Sequence, residues 1–139
     1  MEELDSELHS PVSHLVEDNR PAILVLDDDV LSLELYSREL SSNYQVITCE
    51  NVEDAQQYFW RNSLSAVILE PAIDGEEGWL FLKIIHSSLP LIPVIVCSVL
   101  DERKTGLEQG ADEYLVKPVL PTTLHQLIDK VILRRTKKF

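Results

Sequence analysis

The sequence predicts an α/β fold in which helices cover both faces of a parallel β-sheet. Five short aliphatic runs have the character of strands, and a longer stretch with helical spacing follows each of them. The strand-like runs are apolar almost throughout, which is typical of strands buried on both faces. Strands that alternate with helices in this way form parallel βα units with right-handed crossovers.

The predicted strands are short, and their order in space follows from the repeated βα pattern. They span residues 22–27, 44–49, 65–70, 92–97 and 113–116. The fifth is the least apolar and is expected at an edge of the sheet. Five βα units in about 115 residues predict a flavodoxin-like (βα)5 three-layer sandwich with strand order 2-1-3-4-5. In such a sheet, ligands bind beyond the carboxyl ends of the strands, here nearest strands 1 and 3.

The first and third predicted helices each have an apolar stripe that is expected to face the sheet. In the first helix, which follows residue 29, the stripe is Leu31, Leu35 and Leu40 with Val30 and Leu33. In the third helix, over 78–88, it consists of Leu80, Phe81, Ile84 and Ile85.

The other three helices complete the pattern. The second, near 52–62, places Val52, Ala55 and Phe59 on one face, and the fourth, about 101–109, is short and polar. The fifth covers 121–135, and its inward residues are expected to be Leu124, Leu127, Ile128 and Val131.

Charge along the chain predicts its domain organisation. The net charge of −12 argues against nucleic-acid binding by these residues. Residues 1–20 hold six acidic residues and one basic residue without periodicity, which predicts a mobile acidic arm. Residues 21–135 form the predicted domain, and 136–139 are a basic tail or the start of a linker.

Composition also bears on location and redox state. No apolar run approaches the roughly 20 residues that span a bilayer, and the acidic N-terminus lacks the features of a signal peptide, so we expect a cytoplasmic protein without a membrane partner. The two cysteines, Cys49 and Cys97, end strands 2 and 4. These strands are about 14 Å apart in the predicted order, which predicts free thiols.

Polar residues capable of phosphoryl or metal chemistry end four of the predicted strands. Asp27 and Asp28 end strand 1, and the others are Glu70, Ser98 and Lys117. Singly, each residue has a plain structural explanation, such as a strand-end hydroxyl or a surface lysine, and Asp29 is expected to cap the first helix. Three converging carboxylates would need a cation, which Mg²⁺ or Lys117 could supply.

Three segments make the chain resemble a response-regulator receiver domain of two-component signalling. They are Ile-Leu-Val-Leu-Asp-Asp-Asp at 23–29, Pro-Val-Ile-Val-Cys-Ser at 93–98, and Gly-Ala-Asp-Glu-Tyr-Leu-Val-Lys-Pro at 110–118. The resemblance covers 21–135 and is strongest to receivers that precede winged-helix DNA-binding domains.

The resemblance implies a role for each residue of the strand-end cluster. Asp27 and Asp28 would bind Mg²⁺ together with the backbone carbonyl of Ala72, with Asp28 as the more direct ligand. Ser98 and Lys117 would contact an incoming phosphoryl group. Tyr114 would be the aromatic residue whose rotamer follows the switch, and the Lys117–Pro118 peptide would be cis.

Glu70 stands where the family has its phosphate-accepting aspartate. Gly78 anchors this alignment, and the intervening loop has Pro71 and Asp74 at unusual positions. The extra methylene moves the attacking oxygen by about 1.5 Å, and a misplacement of about 1 Å can slow a reaction about a hundredfold. We therefore expect little or no phosphorylation, and we hypothesise that Glu70 holds the domain in an active-like state. Asp74 as a substitute acceptor is a weaker hypothesis than Asp74 as a turn residue.

Three functions are compatible with this pattern. The first is a non-enzymatic, atypical pseudo-receiver that signals by contact with a sensor kinase, an output domain or another regulator. The second is a working phospho-receiver with an unorthodox acceptor, and either of these could be the N-terminal regulatory domain of a longer DNA-binding regulator. A Mg²⁺-dependent phosphohydrolase is disfavoured because no aspartate ends strand 3.

The resemblance also implies a surface for self-association. Receivers signal through the face made by helix 4, strand 5 and helix 5. This face is expected to carry mixed charges that could support a weak, salt-sensitive homodimer. The charged residues are Arg103, Lys104, Asp112, Glu113, Asp129 and Lys130.

Overall fold

The computed structural model of the protein describes residues 18–136, which form five strands and five helices. The strands are β1 (Ala22–Leu26), β2 (Gln45–Cys49), β3 (Ala66–Leu69), β4 (Val94–Ser98) and β5 (Glu113–Val116). The helices are α1 (Val30–Leu40), α2 (Val52–Arg61), α3 (Glu77–Ser88), α4 (Arg103–Glu108) and α5 (Pro121–Thr136). The predicted acidic arm lies outside the described residues, except for its last three.

The strands form one parallel sheet of order β2-β1-β3-β4-β5, which confirms the predicted flavodoxin-like fold. β5 lies at an edge, as its composition predicted. None of the described helices has the length and apolar character needed to cross a membrane. Both cysteines are free and buried, in agreement with their predicted separation.

Alternate residues of each strand face two separate hydrophobic clusters, one on each side of the sheet. Leu24 and Leu26 of β1 pack with residues of α2 and α3, including Phe59. Ile23 and Val25 of β1 pack with residues of α1 and α5. The sheet is therefore covered on both faces, and its carboxyl edge is left for polar residues.

α1 turns a different face to the sheet than predicted. Val30, Leu31 and Leu35 are at least 38% exposed, although Leu33 and Leu40 of the predicted stripe are buried. Tyr36 lies three residues after Leu33 and four before Leu40, and Ser32 lies four before Tyr36. Residues with this spacing lie on one side of a helix, so Ser32 and Tyr36 complete the buried face. Apolar residues occupy two adjacent faces of α1, so hydrophobicity did not distinguish between them.

The stripe predicted for α3 is also partly wrong. Leu80 is 51% exposed, and Leu82 is fully buried in its place, beside Phe81 and Ile85. Gly78 fixes this rotation because a Cβ atom there would lie 2.3 Å from the carbonyl oxygen of Pro71. The helix therefore has to place its smallest residue against the loop that follows β3.

Candidate functional site

The sheet itself positions Glu70 and Lys117 at its carboxyl edge. The amide of Glu70 donates to the carbonyl of Leu26 at 2.9 Å, which extends the pairing of β3 with β1. The amide of Lys117 donates to the carbonyl of Ser98 at 2.8 Å and extends the pairing of β5 with β4. Both side chains therefore start from backbone that the sheet holds in place, and the Lys117–Pro118 peptide is cis, as predicted.

The Glu70 carboxylate is buried and accepts hydrogen bonds from two loops. Its Oε2 accepts from the amide of Ala72 at 3.1 Å, and its Oε1 accepts from the amide of Val99 at 3.3 Å. The residue is 3% exposed. A buried carboxylate has to be matched by donors, and here backbone N–H groups provide them.

Lys117 lies between the two buried carboxylates. Its ammonium donates to Asp27 Oδ2 at 2.7 Å and is 3.6 Å from Glu70 Oε1. Burial lowers the pKa of Lys117, but the hydrogen bond and charge of Asp27, followed by the charge of Glu70, outweigh burial and raise the pKa above its usual value. Like charges that are close together in a pocket of low dielectric repel, and an ammonium that pairs with both carboxylates offsets this repulsion.

The three aspartates after β1 diverge. Asp27 is buried, and its Oδ1 accepts from the amide of Asp29 at 2.9 Å. Asp29 caps α1, as expected, by accepting from the amide of Leu31 and, at 2.7 Å, from the hydroxyl of Ser32. The side chain of Asp28 is exposed to solvent.

Of the three carboxylates that were expected to converge, Asp27 and Glu70 share a charged partner, Lys117. Within residues 18–136, no three histidine, cysteine, aspartate or glutamate side chains are grouped so as to hold a metal ion. Lys117 pairs with Asp27 and Glu70, while Asp28, the next residue along, is exposed.

Tyr114 lies inside the domain and holds the loop between β4 and α4. Its hydroxyl donates to the carbonyl of Leu100 at 2.6 Å and accepts from the amide of Glu102 at 3.1 Å. The hydroxyl of Ser98 accepts from the amide of Leu100 at 3.1 Å. The side chains of Glu70, which follows β3, of Ser98 in β4 and of Tyr114 in β5 therefore bond to the backbone of residues 99–102.

Sequence reasoning missed the amides of Ala72 and Val99 as partners of Glu70. Every residue except proline has such a group, so no side-chain pattern could have indicated them. Asp74 was predicted mainly as a turn residue, and it has a positive φ of 52° and accepts from the amide of Val52 at 3.0 Å. Its carboxylate thus points to the start of α2.

Four of the six charged residues on the predicted surface for self-association already have partners within the chain. Asp112 pairs with Arg135, and Glu113 pairs with Arg134 at 3.0 Å. Arg103 lies 3.3 Å from Asp101, and Asp129 accepts from the hydroxyl of Tyr44. Lys104 and Lys130 are exposed.

Known proteins resemble this chain in sequence. The sequence profile of the response regulator receiver domain matches residues 23–129. The chain is 34% identical over 126 residues to a probable transcriptional regulator, ycf27, of Cyanophora paradoxa, covering 88% of this chain and 52% of that protein. It is 34% identical over 119 residues to the transcriptional regulatory protein PrrA of Mycobacterium tuberculosis, covering 83% and 51%.

Solved structures give the same fold. A CheY-like receiver domain protein from Methanospirillum hungatei superposes with a TM-score of 0.81 at 22% identity, over 87% of this chain and all of that one, which supports the fold alone. DrrB, an OmpR/PhoB homologue of Thermotoga maritima, superposes with a TM-score of 0.75 at 26% identity, over 83% of this chain and 54% of DrrB.

The fold and the strand-end cluster define a signalling module of the two-component type. The chain belongs to the response-regulator receiver domain family. It spans about half the length of the curated relatives it matches.

Proposed function

We propose that this domain is a pseudo-receiver, which signals by protein contact and has Glu70 in place of the phosphorylated aspartate. The observation that carries the proposal is the pair of hydrogen bonds from the amides of Ala72 and Val99 to the Glu70 carboxylate. Lys117 adds a positive charge 3.6 Å from the same carboxylate. Glu70 thus has the surroundings of a fixed anion rather than those of an exposed nucleophile.

The same contacts argue against transfer of a phosphoryl group to Glu70. A phosphoryl group carries several charged oxygens that need N–H donors and cations, and its transfer depends on positioning and charge stabilisation. The amides of Ala72 and Val99 and the ammonium of Lys117 already serve Glu70 and Asp27. A phosphoryl group that entered the pocket would have to displace these contacts.

The loop at 99–102 links the pocket to the signalling face. Glu70 bonds the first residue of this loop through the amide of Val99, and Tyr114 bonds Leu100 and Glu102 further along. Tyr114 is 6% exposed. The inward ring of Tyr114, together with the Glu70 carboxylate in the pocket, supports an active-like state that needs no phosphorylation. An outward Tyr114, with Glu70 away from both Lys117 and Ser98, would have opposed it.

The relatives suggest the setting in which the domain works. The matched transcriptional regulators are about twice as long as the matched region. We infer that the domain regulates an output domain as the N-terminal part of a longer DNA-binding regulator, and a sensor kinase or another regulator is a further expected partner. A homodimer through α4, β5 and α5 remains part of the proposal, with the exposed Lys104 and Lys130 available to a second copy.

Phosphorylation by a small donor tests the proposal. The purified chain is incubated with acetyl phosphate and Mg²⁺, and its intact mass is measured. We expect no mass gain in the wild type. Glu70→Asp is the matched control, because its shorter side chain retracts from the amides of Ala72 and Val99 and from Lys117. This leaves donors and space for Mg²⁺ and a phosphoryl group, so the variant is expected to gain one phosphoryl group.

One outcome would favour the alternative function, a working phospho-receiver with an unorthodox acceptor. This outcome is a gain of one phosphoryl group by the wild type that is lost in Glu70→Ala. If Glu70→Ala kept the phosphoryl group and Asp74→Ala lost it, the acceptor would be Asp74. Either result would contradict the pseudo-receiver assignment.

A further inference from the structure

We infer that Lys117 is the resident cation of this pocket and that the wild-type domain has no Mg²⁺ site there. The inference rests on the proposed function, because it takes Glu70 to be a fixed carboxylate partner of Lys117. It adds that the arrangement of the pocket does not depend on a divalent metal, in contrast to what the receiver resemblance implies for Asp27, Asp28 and the Ala72 carbonyl.

The carboxylate oxygens of Asp27 and Glu70 already accept hydrogen bonds. Each oxygen of Asp27 accepts one hydrogen bond, from the Asp29 amide at 2.9 Å and from Lys117 at 2.7 Å. Each oxygen of Glu70 likewise accepts from a backbone amide. Mg²⁺ requires near-ideal octahedral geometry with short bonds to oxygen, and the free directions of these oxygens are limited by their buried setting.

The positive charge of Lys117 disfavours a second cation in the pocket. A metal ion bound to Asp27 Oδ2 would lie next to the Lys117 ammonium, which is 2.7 Å from the same oxygen. Two cations on one carboxylate oxygen repel each other strongly in a pocket of low dielectric. The side chain of Lys117 is only 11% exposed, so it cannot move to solvent without leaving both carboxylates.

The position of Asp28 also disfavours a metal site. The resemblance implies Asp28 as a direct ligand, yet none of the described hydrogen bonds or ion pairs joins it to Asp27, Glu70 or Lys117, and it is exposed. Among residues 18–136 no metal-holding group of three acidic, histidine or cysteine side chains is present. The remaining pair, Asp27 and Glu70, shares one lysine. One ammonium therefore takes the place of the metal in balancing these two carboxylates.

A paramagnetic titration tests the inference on the full chain. Mn²⁺, which binds oxygen ligands as Mg²⁺ does, is added at up to millimolar concentration while the amide NMR signals of residues 27–29, 70–72 and 98–99 are followed. We expect no saturable, site-specific broadening in the wild type. Saturable broadening at these amides that excess Mg²⁺ reverses would overturn the inference.

Lys117→Met provides the complementary result. Its side chain is of similar length but uncharged, so Asp27 and Glu70 lose their shared cation, and we expect this variant to acquire saturable Mn²⁺ broadening at the same amides. Lys83→Met, a change at an exposed lysine outside the pocket and the association surface, is the control and should behave as the wild type. A folded Lys117→Met protein without any metal binding would count against the inference. If this variant does not fold, the wild-type titration still decides.

Failure of this inference can be told apart from failure of the proposed function. A wild-type chain that binds Mn²⁺ at these amides but gains no phosphoryl group contradicts only the inference about Lys117. A wild-type chain that acetyl phosphate modifies at Glu70 contradicts the pseudo-receiver assignment, whatever the titration gives.

Discussion

The ring of Tyr114 packs directly on Gly106, so that a Cβ atom on the glycine would lie 2.5 Å from Cδ2 of the ring. Gly106 is a buried residue in the short helix α4, where glycine is otherwise a poor choice. The inward rotamer of Tyr114, and with it the hydrogen bonds to Leu100 and Glu102, therefore depends on the missing side chain of Gly106.

Gly106→Ala is expected to destabilise the domain and to displace the ring of Tyr114. In an ordinary helix this change would gain about 1 kcal/mol, but here the methyl group occupies the place of the ring. Urea unfolding of the single variants and of the double variant with Tyr114→Ala measures the coupling. In the Tyr114→Ala background the glycine substitution should become neutral or stabilising, and an equal loss in both backgrounds would show that the ring is not the cause.

Tyr114→Phe removes the hydroxyl that holds the loop at 99–102. It eliminates the bonds to the carbonyl of Leu100 and the amide of Glu102, and a loss of about 1 kcal/mol in the free energy of unfolding is expected. Tyr58→Phe is the control, because Tyr58 is 44% exposed. The amide signals of residues 99–102 should shift only in the Tyr114 variant. Unchanged signals would contradict the proposed link from Tyr114 to this loop.

The charge of Lys117 should make the domain sensitive to alkaline pH. The partners Asp27 and Glu70 raise the pKa of Lys117 in the folded state above its unfolded value of about 10.4, so the extra stability is complete below that value and is lost as the pH rises through the folded pKa. Urea unfolding between about pH 9 and pH 12 measures the slope.

Other titratable groups contribute to the same loss of stability at alkaline pH, so the effect of Lys117 has to be measured by comparing variants. Burial raises the pKa of Cys49 to about 11 and that of Cys97 to about 12, so both thiols also favour folding less as the pH rises. Both thiols are present in all variants. Removing the Lys117 charge would raise the pKa of Cys97 further, which leaves this thiol protonated in the folded state. Lys117→Met should therefore show a shallower decline above about pH 10 than the wild type, and Lys83→Met, a change at an exposed lysine, should not. Parallel declines in all three would refute a stabilising role for the Lys117 charge.

Arg135 should matter more for stability than its neighbour Arg134. Its guanidinium donates to the carbonyl of Pro90 at 2.6 Å and to Asp112, whose other oxygen accepts from the amide of Val94 at 2.9 Å. We expect Arg135→Met to cost about 1.5 to 3 kcal/mol, because charged hydrogen bonds are lost and Asp112 is left without its cation.

Arg134→Met is the matched control for this prediction. Arg134 pairs with Glu113 while 53% exposed, and exposed ion pairs contribute about 1 kcal/mol at most. Chemical denaturation of the two variants gives the comparison. Equal losses would mean that the contacts of Arg135 with Pro90 and Asp112 add nothing to the end of α5.

The sequence by itself determined the fold and the identity of the residues at the carboxyl edge. Buried strands have to be apolar on both faces, and this pattern predicted the five strands and their order. Local chemistry also predicted the Asp29 cap of α1 and, through the resemblance, the cis Lys117–Pro118 peptide. These features depend on neighbouring residues or on periodicity, both of which can be read along one chain.

Only the tertiary structure decided how the edge residues pair. Asp27, Asp28 and Asp29 are consecutive acids, yet one binds Lys117, one is exposed and one caps a helix, because the chain turns at that point. The partners of Glu70 are backbone amides of residues brought close by β3 and β4, and no residue type encodes them. Which face of α1 was buried was likewise set by contact with the sheet, since apolar residues occupied two faces.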